Sequence, residues 1–332
     1  MKVLVTGANG FIGSHLTQLL VKEGYTVRAL LLPGTALGAI DGLQIDVVYA
    51  DITKPETFQQ AFQGIDVVYH LAAMPSVAWG KQVYNVNYNG TKNVLDEAVR
   101  CGVKRIVFMS SLVVHGFKHF SDADENTPKL TIRTFTRPYA ASKVMGERLM
   151  EEYQSKIETV IIRPGFNIYG PNDRMTSKEM LDRLSKGQLM GYVDGGKSKL
   201  GFVYAENLVF GLLCAGTHPA AANNTFIIAD YAPNYIHLAQ LLNAFSKELN
   251  IQPKINNISS YLLYPVAFVI DCFYFLFLRN KMPLISTYIV NTSTHNLHFS
   301  SRKALETIGY TQKISFEEGV RRTVEWYKTL KK

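Results

Sequence analysis

The feature that most constrains this chain is its first turn. Lys2 to Thr6 form a short β-branched run, and TGANGFIGSHL follows at once, placing Gly7, Gly10 and Gly13 in a GxxGxxG spacing at the head of an amphipathic stretch. A strand that stops in a glycine turn and re-enters as a helix calls for a parallel neighbour, because the helix carries the chain back across the sheet face. Each glycine has its own use. The first permits the tight turn, the second lets backbone approach a pyrophosphate, and the third lets helix and strand pack closely. The free amides of the helix start, around Phe11 and Ile12, then face the phosphates.

The same rhythm continues. Thr26 to Leu31, Asp46 to Tyr49, Val67 to Leu71, Arg105 to Ser110 and Thr159 to Arg163 read as further strands, with helical patterns between most of them. A chain of 332 residues exceeds the size at which one core stops growing, roughly 250 to 300 residues. The expected fold is α/β: a Rossmann-type doubly wound parallel sheet from 1–164 with 199–229, and a smaller, interleaved C-terminal substrate domain from 165–198 with 230–332. GFVYAENLVFGLLCAG reads as the strand and helix that return to the first lobe. Ligands of such a sheet bind beyond the carboxyl ends of its strands.

Bulk properties exclude several classes. Apolar residues at 47% and charged residues at 19% argue against disorder. Cys101, Cys214 and Cys272 are odd in number, far apart and without metal-ligand spacing, so reduced thiols, no metal site and a cytoplasmic setting are expected. MKVLVT is too short for the core of a secretory signal. The net charge of +8 is scattered rather than clustered, which favours a solvated basic surface and gives nucleic acid no support.

Tyr139 and Lys143 in PYAASK stand four apart and share one helix face. A phenol with an ordinary pKa near 10 must fall by about three units, or about 4 kcal/mol, to exchange protons near neutrality. An ammonium about 4 Å away at an effective dielectric of about 20 contributes that much. Lysine is therefore expected to be the main activator.

Taken together, the glycine spacing and YxxxK resemble the short-chain dehydrogenase/reductase superfamily, in particular its extended branch. Further motifs match in order: Asp51-Ile52 after the third strand, His70-Leu71-Ala72-Ala73 after the fourth, and VNYNGT with Asn87. The resemblance implies cofactor contacts at Gly7, Gly10, Phe11, Ile12, Gly13, Asp51, Ile52, Leu71, Ala72, Ala73, Asn87, Tyr139, Lys143 and Pro164. By the family spacing, Ser111 in SSLVVHG is the hydroxyl that holds the substrate oxygen, with Ser110 the near alternative. Ser111, Tyr139 and Lys143 are then the catalytic set, and His115 a cleft-wall residue. Hydride moves between the substrate carbon and the nicotinamide while Tyr139 handles the proton. At the end of the second strand Leu31 and Leu32 replace the acid common with NAD and the arginine common with NADP. Preference stays open between the two, leaning to NADP because no acid repels the extra phosphate.

Nucleotide-sugar dehydratases carry Asp-Glu after the catalytic hydroxyl, where this chain has Leu112-Val113. The back half instead resembles the 3β-hydroxysteroid dehydrogenase and sterol dehydrogenase group, through GFVYAENLVFGLLCA, TFIIADYAPN and the ending LHFSSRKALETIGYTQKISFEEGVRRTVEWY. That implies a small hydrophobic substrate carrying a hydroxyl or ketone, sterol-like, a long-chain keto acid or flavonoid-like. A nucleotide-sugar epimerase and a non-catalytic dinucleotide sensor are the alternatives. RPGFNIYGP is one residue longer than the commoner RPxxxYGP form. Tyr261 to Leu278 is apolar apart from Asp271 and is followed by Arg279 and Lys281. It is short for a span, which wants about 20 residues, so it is expected to cover the substrate cleft, a homodimer partner or the membrane surface rather than cross a bilayer.

Overall fold

A computed structural model describes every residue except 77, 135, 189, 232–235 and 332. The tail of TFIIADYAPN, residues 232–234, lies outside the described set. Among the described residues seven strands form one parallel sheet: β1 (Lys2–Thr6), β2 (Thr26–Leu31), β3 (Asp46–Tyr49), β4 (Val67–His70), β5 (Arg105–Met109), β6 (Glu158–Pro164) and β7 (Asn224–Ile228). Their order is β7-β6-β5-β4-β1-β2-β3. The direction of winding reverses between β1 and β4, where Thr6 sits beside His70. At such a reversal the crossover helices leave to opposite faces and open a crevice at the strand ends.

The six strands expected from the sequence are present, three with identical bounds, two ending one residue earlier and one, Glu158–Pro164, a residue longer at each end. The seventh arises elsewhere than expected. Among the described residues Phe202–Tyr204 pairs with Asn167–Tyr169 in a separate parallel ladder, and the strand that reaches the large sheet is β7 beside β6. Parallel neighbours need a crossover, and the helix Ala205–Thr217 supplies it, so the joining strand must follow that helix.

Both sheet faces are covered, which is why β1 and β4 read as continuous apolar runs. On one face α1 (Phe11–Lys22) and the Ala205–Thr217 helix contribute Leu16, Leu20, Leu208 and Leu212 to a core with Val3, Val5 and Tyr69. On the other, α2 (Gly90–Arg100) and α3 (Pro138–Tyr153) contribute Val94, Leu95, Leu149 and Met150 against Leu4, Val68 and Phe108. The smaller lobe has its own core around Tyr169, Phe202, Phe245 and Val320. Its four-stranded sheet takes Phe120–Ala123 from the first half of the chain alongside Leu297–Phe299, so the lobes interleave.

The apolar segment forms one helix, α4 (Ser260–Phe277), with Pro265 inside it. Of its residues, Ala267 and Asp271 are buried. It packs beside α5 (Thr287–Thr294) and turns Phe268, Asp271 and Cys272 toward Arg137 and Ala140 at the head of α3.

Candidate active site

The glycine turn is built as its spacing requires. Gly7 has φ +69°, and a Cβ there would lie 3.0 Å from the Ala72 Cα, so this glycine supplies both the left-handed backbone and the close approach of β1 and β4 ends. A Cβ on Gly13 would stand 2.0 Å from the Gly7 carbonyl oxygen, which closes the helix–strand contact to any larger residue. The start of α1 has no side-chain cap and no acid in its first turn, leaving its amides and positive dipole end open to an anion.

Two residues that the sequence patterns did not single out brace this cradle. The Thr6 hydroxyl accepts the amides of Leu71 (3.2 Å) and Ala72 (3.1 Å) and contacts His70 Nδ1 at 2.8 Å, which pins the β4 end to β1. The Asn9 amide donates to the Thr35 hydroxyl at 2.9 Å and the Ala36 carbonyl at 2.8 Å, fixing the loop after β2 against the glycine turn. The residues present therefore fit a dinucleotide: an open helix N-terminus, a wall of Leu71, Ala72 and Ala73, and Asp51 at the β3 end. Asp51 Oδ1 caps Thr53 at 2.9 Å, while Ile52 packs in the core under Gly90. Pro164 closes β6, buried beside Ile228. Asn87 is buried and holds the Met74 backbone through both amide atoms (2.7 and 3.2 Å), with a further bond to Ser142 at 3.0 Å. Its action is on the wall around residue 74.

The lean toward NADP finds no support. Arg28 meets Asp46 at 2.6 Å and the Ala61 carbonyl at 2.8 Å, so its guanidinium is engaged three residues short of the β2 end. Leu31 is buried and Leu32 exposed, and neither attracts a 2′-phosphate or binds a ribose hydroxyl.

At the adjacent end of β5, α3 begins with Pro138 at its first turn, pre-set for a helix, and presents Tyr139, Lys143 and Glu147 along one face. Lys143 Nζ donates to the Met109 carbonyl at 2.7 Å and lies 4.9 Å from the Phe108 ring centre and 5.9 Å from that of Tyr139. Burial pushes the Lys143 ammonium down to about 8, partly opposed by Glu147. Burial also raises the Tyr139 phenol, and a hydrogen bond with Ser111 pulls it back. This differs from the expectation of a phenol lowered mainly by lysine. The ammonium is anchored on the Met109 carbonyl, and loss of water on burial penalises the phenolate.

The two serines separate cleanly. Ser110 is buried and donates to Glu147 Oε1 at 2.6 Å. Ser111 is half-buried, accepts the Val113 amide at 3.3 Å and turns its hydroxyl to Tyr139. Glu147 itself is fully buried, bridged by Arg163 through two nitrogens (2.9 and 2.8 Å) and by Lys129 at 3.1 Å. Arg163 holds its carboxyl below the usual range even though burial alone would raise it. The third member of the i, i+4, i+8 series from Tyr139 was a signal for this brace. His115 is not a free wall residue: it stacks on Phe299 at 5.0 Å, gives Nδ1–H to the Pro128 carbonyl at 3.2 Å and accepts Arg163 on Nε2 at 3.3 Å. Burial and Arg163 push it down to about 4, so it stays neutral.

Beside Tyr139 opens a cavity of about 280 Å³ walled by Val113, Phe117, Ala140, Phe268, Cys272 and Tyr288, among others. The longer RPGFNIYGP loop reaches it indirectly. Its Phe166 packs on Phe117 at 6.1 Å, and Asn167–Tyr169 enters the ladder with Phe202–Tyr204. Burial and the nearness of Tyr139 raise the Tyr288 phenol above its ordinary value. Asp271, expected only as a charge interrupting an apolar run, is buried on the inner side of α4. It bonds Arg137 and accepts from the Thr287 amide (3.0 Å) and hydroxyl (2.5 Å). Arg137 lies over the Trp79 ring at 4.2 Å and precedes Tyr139 by two residues, so the helix walling the cavity is tied to the catalytic helix.

Residues 3–229 match the NAD dependent epimerase/dehydratase family. The chain belongs to that family. It is 30% identical to the 3beta-hydroxysteroid-dehydrogenase/decarboxylase isoform 1 of Arabidopsis thaliana, over 99% of this chain and 80% of that one. It is 28% identical to the 2-alkyl-3-oxoalkanoate reductase of Shewanella oneidensis, over 96% of this chain and 84% of the relative. The UDP-glucose 4-epimerase of Thermus thermophilus, solved in complex with NAD, superposes with a TM-score of 0.75 at 22% identity over 99% of both chains. That likeness concerns the fold. Family membership carries NAD(P) binding and oxidoreductase or epimerase chemistry to this chain; the reaction itself is a matter of the site.

Proposed function

We propose that the protein interconverts a hydroxyl and a ketone on a hydrophobic substrate as an NAD(P)-dependent oxidoreductase. The carrying observation is Ser111 facing Tyr139, with buried Lys143 one turn on and an apolar cavity walled by their neighbours Val113 and Ala140. A nicotinamide dinucleotide held by the glycine turn, the 71–73 wall and Lys143 supplies or accepts the hydride. Ser111 and Tyr139 bind the substrate oxygen, and Tyr139 gives it a proton in reduction or takes one in oxidation. Lys143, fixed by the Met109 carbonyl, stabilises the phenolate as the proton leaves. The buried Glu147–Arg163 pair holds α3 and Ser110 in register with the β5 end.

The lining favours an apolar body over a sugar diphosphate, since its cation is Arg137, which is bonded to Asp271. Small-molecule sites span about 300–1,000 Å³. At about 280 Å³ this cavity holds the reacting end of a long molecule, with the remainder lying toward α4. The names of the two relatives fit this class. The test is a panel of hydroxysteroids, long-chain 3-oxo acids and nucleotide sugars run with NAD and NADP, followed by reduced-nicotinamide absorbance. Net redox with apolar compounds is expected. Conversion of nucleotide sugars with no net redox would favour an epimerase, and binding of the dinucleotide without turnover a sensor.

A further inference from the structure

The face of α4 turned away from the cavity is left bare. Tyr261 is 90% exposed, Leu262 74%, Val269 66%, Leu276 62% and Phe277 70%, and the following loop adds Leu284 at 89%. Contiguous apolar surface on this scale is rare on a soluble monomer unless something covers it. Three observations identify the cover. The first is charge: between Glu248 and Glu306 the sole carboxylate is Asp271, whereas Lys254, Arg279 and Lys281 flank α4 in the chain and are all exposed. Asp271 is buried on Arg137 and Asp194 is taken up by the Ser260 amide at the head of α4, so the exposed charge of the segment itself is cationic.

The second is tethering. Ser260 at the head of α4 bonds Asp194 at 3.0 Å and the strand before it, Ile255–Ile258, pairs with Met190–Val193. Asp271 holds the middle, and Trp79 packs on Phe275 at 5.1 Å near the tail. A helix fastened at head, middle and tail to one body lies along that body and does not leave it to cross a bilayer, even though its 18 residues have the length and hydropathy of a short span. The third is symmetry. A second copy docked through this face would bring Lys254, Arg279 and Lys281 onto a patch of the same net positive sign, because an isologous contact brings a patch onto itself. A surface of anionic headgroups neutralises the same charges.

We propose that α4 and the 282–286 loop form an in-plane membrane anchor that seats the protein on anionic lipid. Aliphatic and aromatic side chains enter the acyl boundary, and Lys254, Arg279 and Lys281 meet the phosphates. Because Phe268 and Cys272 of the same helix wall the cavity, the anchor sets the cavity mouth at the lipid surface, where a hydrophobic substrate is concentrated. The anchoring does not depend on the redox reading, since it is measured without turnover.

The test is sedimentation of the purified full chain with vesicles of phosphatidylcholine alone and of phosphatidylcholine mixed with phosphatidylglycerol. Wild type is expected to pellet with the mixed vesicles, to bind the neutral ones more weakly, and to be released by high salt or alkaline carbonate. The substitutions L262E and L276E touch neither cavity nor catalytic residues. Together they should weaken binding more than about a hundredfold, from the transfer value of a buried leucine. R279E with K281E should weaken it about fivefold per charge. Folding of each variant is checked by its melting transition, and the wild-type arm decides alone if a variant fails to fold. Wild type remaining in the supernatant with mixed vesicles overturns the proposal, as does a need for detergent after both washes. So does a dimer that L262E/L276E converts to monomer while no vesicle binding is seen.

Discussion

Removing the carboxylate of Asp271 is expected to release α4 from the catalytic lobe. The side chains of Arg137 and Asp271 are 8% and 7% exposed, so Asp271→Ala leaves a guanidinium charge in a place with little water. Breaking a buried pair from one side costs about 3–5 kcal/mol, because the remaining charge keeps its desolvation penalty and loses the carboxylate's attraction. The Thr287 amide and hydroxyl lose their acceptor as well, which places the cost toward the top of that range. Since α4 buries little besides Ala267 and Asp271, the loss should appear as local opening rather than global unfolding. Native-state hydrogen exchange over 260–294 is the direct assay. Protection should fall by about two to three and a half orders of magnitude, the same energy at about 1.4 kcal/mol per tenfold. The companion R137M/D271L removes both charges and should restore protection to within about tenfold of wild type, since an apolar pair of similar volume is well tolerated there. The Michaelis constant for an apolar substrate should rise in D271A, as Phe268 and Cys272 lose their fixed place in the cavity wall. Unchanged protection in D271A would refute the view that this pair fastens the helix.

Tyr139→Phe removes the transferable proton and should lower kcat by about a hundredfold or more while cofactor affinity, read by fluorescence titration, stays near wild type; a wild-type rate would remove Tyr139 from the mechanism. Lys143, pushed down to about 8, loses its charge as pH rises through that value, so the rate of carbonyl reduction should be flat below about pH 7 and fall toward tenfold per unit well above 8; a flat profile to pH 10 would count against it. His70 is held neutral in the fold, with burial pushing it down to about 3 from an ordinary 6.5. The unfolded chain therefore binds the extra proton first, and the stability from neutral His70 is complete above about pH 6.5 and drains as pH falls toward 3, by up to about 5 kcal/mol. Urea denaturation across that range should show a shallower acid loss in His70→Gln than in wild type, and equal slopes would assign the loss to other groups.

Much of this molecule is legible in its sequence, and the reason is range. A strand end, a glycine turn and a helix start are written within a dozen residues, so Lys2–Thr6 with Gly7, Gly10 and Gly13 can be read directly, as can the four-residue spacing of Tyr139 and Lys143. Strand bounds follow from β-branched runs buried on both faces. What stays hidden depends on side chains meeting across long stretches of chain, or on which way one residue turns. The periodicity of β2 leaves the direction of Arg28 open, and Asp46 decides it. Ser110 and Ser111 are chemically equal in sequence, and only buried Glu147 takes one of them inward. The seventh strand is Asn224–Ile228 rather than Phe202–Tyr204, because pairing partners are chosen in space. Above all, Asp271 reads in sequence as a charge spoiling an apolar run, while Arg137, 134 residues away, makes it the clasp of that helix. Composition and local pattern determined the elements and the chemistry they carry; only tertiary packing decided which polar group is neutralised by which, since that energy exists solely where the chain brings the partners together out of water.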